Sequence, residues 1–132
     1  MKKLVIVLNL VCMFALGSFA QSMYGDAAKA DVKMKYVYSF EEALKRAKEE
    51  HKLIFFNCFA DWAIPCHSMN KLVFSDQEFA DWMDKHFVNL FIDVTSREGR
   101  PLAEKYRIRF QAHYLVLDEN GQIVHRIVGG YQ

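Results

Sequence analysis

Apolar and polar positions alternate with a helical period in the first patterned part of the chain. Apolar residues recur three or four positions apart, at Phe40, Ala43, Leu44 and Ala47. Ser39 and Glu42 precede and open this stretch as a capping box, which is typical of a helix start. The pattern predicts an amphipathic helix over residues 40–50, and the charged run KRAKEEHK predicts its solvated face.

The next stretch changes period. LIFFNCF, residues 53–59, is continuously apolar and aromatic, which indicates a central strand buried on both faces. Pro65 predicts the start of a second helix, because proline suits a first turn whose amide is unpaired. Ser75 and Glu78 form a second capping box, ahead of a helix whose apolar face comprises Phe79, Trp82, Met83 and His86.

The second half of the chain is richer in strands. FVNLFIDV, residues 87–94, alternates in polarity and predicts a strand, and Pro101 opens a short helix over residues 101–106. HYLVLD and QIVHRIV predict two strands joined at Asn120–Gly121, a strong hairpin signal. Helices alternate with the early strands and a hairpin ends the chain, so we expect an α/β fold with a mixed central sheet covered by helices.

The amino-terminal residues have a different pattern. Lys2 and Lys3 precede an apolar run over residues 4–16, and Ser18-Phe19-Ala20 places small residues at the positions that a signal peptidase reads. This predicts an export signal over residues 1–20, cut before Gln21, then a linker over 21–35 and one domain over 36–132. The run is too short for a membrane anchor. A lipoprotein would need Cys12 acylated, and Val11 before it is too bulky.

Composition narrows the class of protein. The chain has 132 residues, 52% hydrophobic and 25% charged, which is the profile of a single globular domain. Without residues 1–20, which hold two of the 17 basic residues, 15 basic face 16 acidic ones. We therefore expect no nucleic-acid partner. Cys58 and Cys66 then remain, too few for a disulfide scaffold or a zinc site of cysteines alone.

The stretch ADWAIPC, residues 60–66, carries the chemical information. With a cysteine at position 63 it would be a strand–turn–helix redox motif with two thiols three residues apart. In this, the chain resembles the thioredoxin superfamily, of the exported bacterial thiol–disulfide interchange type. FSDQEFADWMDKHFVNLFIDV, LAEKYRIR and YLVLDENGQIVHRIVGG extend the resemblance over residues 37–130. It implies a thioredoxin-like α/β fold.

The resemblance also implies roles for residues. Position 63 would attack a protein disulfide and Cys66 would resolve the mixed disulfide, so Ala63 is a vacated nucleophile position. The residues implied to bind substrate are Trp62, Ile64, Pro65, Gln111 and Ala112. No cofactor is implied. The implied partners are protein thiols or disulfides, with a membrane or soluble thiol reductase as a further candidate, and the implied location is the periplasm or cell envelope without stable membrane insertion.

Four features depart from the family pattern. Ala63 replaces the attacking cysteine, and Asn57 replaces a buried acid that assists the second thiol. Ala112 replaces the cis-proline that faces the active site. Because a cis bond before a non-proline residue costs about 3–4 kcal/mol, we expect the Gln111–Ala112 bond to be trans, with the 109–114 loop against the Trp62–Cys66 turn. The family's terminal helix would follow Gly130, and without it we expect an apolar patch on one face of the sheet.

Other interpretations of the same residues stay open. Cys66 is either a residual redox thiol or a buried core thiol, and Trp62 serves either binding or packing. A Cys58–Cys66 disulfide is geometrically unfavourable. Cys66, His67 and His113 form a possible metal set without an evident fourth ligand. For function, the two hypotheses are an exported thiol–disulfide oxidoreductase that is inactive because of Ala63, and a non-catalytic protein-binding module.

Overall fold

The structure is a computed structural model that describes residues 32–129. The predicted export signal, Cys12, residues 21–31 of the predicted linker and the chain end at Gln132 lie outside these residues. Within 32–129, no helix is both long and apolar enough to cross a membrane. The elements are β1 (Tyr36–Val37), α1 (Phe40–Glu50), β2 (Leu53–Phe59), α2 (Ile64–Leu72), α3 (Gln77–His86), β3 (Phe87–Asp93), α4 (Arg100–Lys105), β4 (His113–Leu117) and β5 (Ile123–Val128).

The five strands form one mixed sheet in the order β1-β3-β2-β4-β5. β2 runs parallel to β3 and antiparallel to β4, and β4 and β5 form the predicted hairpin. Together with the flanking helices this is the predicted thioredoxin-like fold. The predicted helices and strands are confirmed to within one or two residues. The sequence pattern did not reveal β1, because two residues are too few to display a period.

β2 is buried on both faces, as its continuous apolar run predicts. On one face Ile54, Phe56 and Cys58 join the main core, to which α1 and α4 contribute. On the other face Phe55 contacts the ring of Phe74, which connects α2 to α3. The strand is therefore covered from both sides, and its position in the sheet is determined by burial.

Helix boundaries follow local hydrogen bonding. The Ser39 hydroxyl accepts from the Glu42 amide at 3.3 Å, as the first capping box predicts. For α3 the predicted cap, Ser75, is wrong. Asp76 is the cap and accepts from the Phe79 amide at 2.7 Å, while the Ser75 hydroxyl donates to the Lys71 carbonyl. A carboxylate with a short reach competes well for an N-terminal amide, so the cap moves by one residue.

The hairpin turn is held by one side chain. The Asp118 carboxylate accepts from the amides of Asn120 and Gln122, at 2.8 and 2.9 Å. Gly121 follows with φ of 77°, a conformation that glycine adopts without a Cβ clash. Tyr106 donates its hydroxyl to the Gly121 carbonyl at 2.7 Å, which ties the end of α4 to the hairpin.

A terminal helix after Gly130 would lie outside the described residues. On the face of the hairpin that Tyr114 shares, Val116 and Ile127 are half-buried. The predicted apolar patch therefore stays a prediction.

Replacing the cap of α3 should distinguish the two assignments. Asp76→Ala removes the acceptor for the Phe79 amide, so we expect the free energy of unfolding to fall by about 1 kcal/mol. Ser75→Ala is the matched control and should change it by less than about 0.5 kcal/mol. Urea unfolding followed by circular dichroism measures both. A larger loss in Ser75→Ala than in Asp76→Ala would restore the original capping-box assignment.

Candidate functional site

The turn from β2 into α2 places Ala63 at the start of the helix. The Ala63 amide donates to the Ala60 carbonyl at 3.1 Å, and the Cys66 amide donates to the Ala63 carbonyl at 3.0 Å. Ala63 is the N-cap residue of α2, with no side-chain cap, and Pro65 lies in the first turn. Position 63 therefore lies at the amino-terminal end of the helix, where the helix dipole favours negative charge.

The side chain of Ala63 does not face solvent. It is 2% exposed, whereas its neighbours Trp62 and Ile64 are 70% and 78% exposed. Because residue 63 stands where a strand passes into a helix, the sequence predicts a side chain that faces solvent, and for the alanine this prediction is wrong. The backbone at Ala63 is extended, so successive side chains point to opposite sides and the methyl group turns inward.

Cys66 is buried beneath the facing loop. Its side chain is 1% exposed, and its thiol donates to the Gln111 side-chain oxygen at 3.4 Å. This contact confirms the predicted approach of the 109–114 loop to the turn. Burial raises the pKa of the Cys66 thiol, the Asp93 carboxylate raises it further, and a backbone hydrogen bond from Ala60 opposes both. The thiol is therefore protonated at neutral pH. A protonated thiol is a poor nucleophile, because the thiolate is the form that attacks.

The loop itself differs from expectation at one bond. The Gln111–Ala112 peptide bond is cis, so the prediction of a trans bond was wrong. That prediction weighed only the intrinsic preference of an isolated bond, whereas Ala112 is fully buried and its carbonyl accepts from the Gly129 amide at 2.8 Å. Phe110, just before, is 69% exposed. Of the implied substrate-binding residues, Trp62, Ile64 and Pro65 are exposed, Gln111 is half-buried and Ala112 is buried.

The two histidines considered as metal ligands have other partners. His113 is buried, and its Nε2 lies 2.7 Å from an Arg126 nitrogen that can only donate. Its Nδ1 therefore carries the proton and donates to the Phe110 carbonyl at 3.2 Å. His67 Nε2 lies 2.6 Å from the Asp61 carbonyl. Among residues 32–129, no three His, Cys, Asp or Glu side chains are grouped to hold a metal ion.

Cys58 is separate from this site. It is fully buried in the main core, its thiol lies 3.7 Å from the Phe56 carbonyl, and burial raises its pKa well above the usual value. Cys58 and Cys66 are both free thiols. Cys58 therefore serves packing, as small apolar residues do.

Asn57 is the residue that the resemblance places at the family's buried acid. It is buried, and its amide donates to the Tyr36 hydroxyl at 3.3 Å. The sequence did not identify Tyr36, the Gln111 side-chain contact or Arg126 as parts of this region. The one available signal was Arg126, a charged residue within the strand QIVHRIV.

Known proteins share this fold. A family model described as thioredoxin-like matches residues 35–118. Thioredoxin H3 of Arabidopsis thaliana is 31% identical over 93 residues, covering 70% of this chain and 73% of that protein. A solution structure from Bacteroides thetaiotaomicron, provisionally named a disulphide-isomerase, is 39% identical with a TM-score of 0.66, covering 76% of this chain and 83% of that one.

A solution structure of a thioredoxin from Thermus thermophilus matches with a TM-score of 0.65 at 24% identity, covering 74% of this chain and 77% of that one. At that identity the likeness concerns the fold alone. The family model and the similarity to thioredoxin H3 identify the class, and the chain belongs to the thioredoxin-like family.

Introducing an acid at position 57 should make stability depend on pH. In Asn57→Asp, burial would raise the folded-state pKa of the carboxyl above its unfolded value near 3.9. The folded state then binds more protons, so stability is retained at low pH and lost as pH rises through the folded-state pKa. We expect a loss of about 2 kcal/mol or more at pH 8 and a smaller loss at pH 5.

Urea unfolding at both pH values tests this, with Asn120→Asp on the exposed hairpin turn as the matched control. Equal destabilisation of Asn57→Asp at the two pH values would show that a carboxyl at position 57 titrates normally.

Proposed function

We propose that this chain is an exported thioredoxin-family protein, of the thiol–disulfide oxidoreductase lineage, that retains a surface for polypeptide thiols or disulfides and lacks exchange activity. The observation that supports the missing activity is Ala63 at the N-cap of α2. The basic start and apolar run of residues 1–20 support export to the periplasm or cell envelope.

Disulfide exchange needs a thiolate at the entry to the helix. An attacking thiolate forms a bond to one substrate sulfur and releases the other as a thiolate. A second thiolate then attacks the mixed disulfide, closes an intramolecular disulfide and releases the reduced substrate. Ala63 has no electron pair for the first step, and Asn57 cannot exchange a proton with Cys66 in the second.

Cys66 is a poor substitute for the missing attacker. Its sulfur is buried, its proton is donated to Gln111, and burial raises its pKa. A thiol that attacks must be deprotonated and accessible, and Cys66 is neither.

A specific observation also favours the binding module as a second candidate. Trp62, Ile64 and Phe110 are large apolar side chains that are mostly exposed, and they come from the turn and the loop that meet at Cys66. Exposed aromatic side chains next to a recognition loop are typical of binding surfaces. The partner class that fits is an extended polypeptide bearing a cysteine, in line with the family.

Exchange activity should depend on a thiol at position 63. The unmodified chain should not turn over insulin or a small disulfide, and Ala63→Cys should confer measurable turnover, since the helix amides favour a thiolate there and Cys66 is the resolving partner. Ala63→Cys with Ala112→Pro should exceed the product of the two separate effects, because both act on one bound substrate.

Ala63→Ser is the matched control, because it adds a side-chain oxygen of similar size without a thiol. Turnover by the unmodified chain as fast as by Ala63→Cys would mean that Cys66 alone carries the chemistry and would overturn the proposal.

Peptide binding should depend on Trp62. Trp62→Ala should weaken the binding of an extended cysteine-containing peptide by about tenfold, since buried tryptophan contacts dominate many interfaces. Isothermal titration calorimetry with a reduced peptide measures this. Trp82→Ala, which removes the exposed tryptophan of α3, is the matched control and should leave the affinity unchanged. Equal losses in the two variants would place the peptide elsewhere.

A further inference from the structure

One arginine on the edge strand contacts both ends of the loop that covers Cys66. Arg126 of β5 donates from one terminal nitrogen to the Tyr106 carbonyl at 2.7 Å. From the other it donates to His113 Nε2, also at 2.7 Å. Tyr106 and His113 flank residues 107–112, so a single guanidinium bridges the two ends of this segment.

His113 extends the connection into the loop. Its imidazole is buried and donates from Nδ1 to the Phe110 carbonyl at 3.2 Å. The Phe110 carbonyl directly precedes Gln111, whose side-chain oxygen accepts from the Cys66 thiol. Three hydrogen bonds, joined by the covalent Phe110–Gln111 backbone, therefore connect Arg126 through His113 to Cys66.

The geometry calls for arginine in particular. A guanidinium presents several donors in one rigid plane, so it reaches two acceptors at once, whereas a lysine ammonium is a point charge on a flexible stem. Arg126 lies opposite Leu115 on the core side of the sheet. Its charge also lowers the pKa of the buried Cys58 thiol against the effect of burial, which places the guanidinium toward the core.

We propose that Arg126 is a positioning residue that acts through His113 to hold residues 107–112 in place, so that Gln111 covers Cys66 and access to this thiol is controlled from the edge strand. The same loop also fixes the position of Phe110 on the proposed peptide-binding surface, which Phe110 forms with Trp62 and Ile64. The effect on this surface is the one part of the proposal that rests on the proposed function. Access to the thiol can be measured without any partner.

The direct experiment is thiol modification of the full chain with N-ethylmaleimide, with peptide mapping to assign the modified cysteine. In Arg126→Gln, Cys66 should react about tenfold faster than in the unmodified chain, which corresponds to a loss of about 1.4 kcal/mol of loop closure. Arg126→Lys retains the positive charge but loses the planar set of guanidinium donors, so the rate of Cys66 modification should also rise in this variant.

Two controls separate this effect from unfolding. Arg100→Gln removes another arginine that donates to a backbone carbonyl, that of Thr95 at 3.2 Å, and should leave the Cys66 rate unchanged. Cys58 in the main core should stay unreactive in every variant. If Arg126→Gln does not fold, the rate of Cys66 modification in Arg126→Lys tests the proposal instead. An unchanged Cys66 rate in Arg126→Lys, or Cys58 and Cys66 rates that rise together in it, would overturn the proposal.

A double-mutant cycle tests whether Arg126 acts through His113. His113→Phe removes the acceptor for Arg126 and the donor for the Phe110 carbonyl. If the two residues form one unit, Arg126→Gln with His113→Phe should react no faster than the faster single variant. Multiplication of the two effects would show that they act independently, and this outcome would overturn the proposed route.

The pH dependence gives a readout that a purely structural role would not move. Protonation turns His113 Nε2 into a donor that faces Arg126, so the hydrogen bond is lost. Burial, and then Arg126, lower the pKa of His113 below its usual value. Arg126 is the charged side chain that acts on His113 among the described residues, and the Cys58 thiol that faces Arg126 stays neutral.

The ratio of Cys66 rates in Arg126→Gln and the unmodified chain removes most of the pH dependence of the thiolate itself. We expect this ratio to be about ten at pH 8 and to fall toward one at pH values well below the usual histidine pKa of about 6.5. A ratio that stays constant with pH would overturn the role of His113. If Trp62→Ala does not weaken peptide binding, the proposed peptide-binding surface is wrong. That result would leave the rates of Cys66 modification, and the role of Arg126 inferred from them, unaffected.

Discussion

The central strand β2 is the constraint on which the rest of the structure depends. It pairs along its whole length with β3 on one side and over residues 54–57 with β4 on the other, and six of its seven residues are buried. Its carboxyl end leads directly into the turn that holds Ala63. Because β4 is antiparallel and pairs Tyr114 with Asn57, the loop before β4 arrives at the same edge of the sheet. The meeting of Cys66 and Gln111 is a consequence of this register.

Burial keeps the one local thiol of this site protonated. A thiol in the first turn of α2 would have a lowered pKa if it were exposed, since the helix dipole favours a thiolate. Cys66 instead lies beneath Gln111, and its pKa is raised. The position where the dipole would favour a thiolate is Ala63. The one local thiol of the described site is therefore in the protonated, covered state.

The sequence predicted those features that depend on neighbouring residues. The capping box at Ser39, the buried run of β2 and the Asn120–Gly121 hairpin signal all correspond to elements of the structure. The errors arose where two local solutions compete or where packing decides. Asp76 rather than Ser75 caps α3, the methyl group of Ala63 turns inward, and the Gln111–Ala112 bond is cis.

Apart from β1, the sequence by itself determined the order of elements, the fold class and the positions of Ala63 and Cys66 around the start of α2, because periodicity and capping act within a few residues. Only the tertiary structure decided which side chains meet there. Gln111 lies 45 residues from Cys66 along the chain, Tyr36 lies 21 from Asn57, and Arg126 lies 13 from His113. These contacts depend on the order and register of the strands, which bring together residues that are far apart along the chain. A pattern read over a few neighbouring residues does not contain this information.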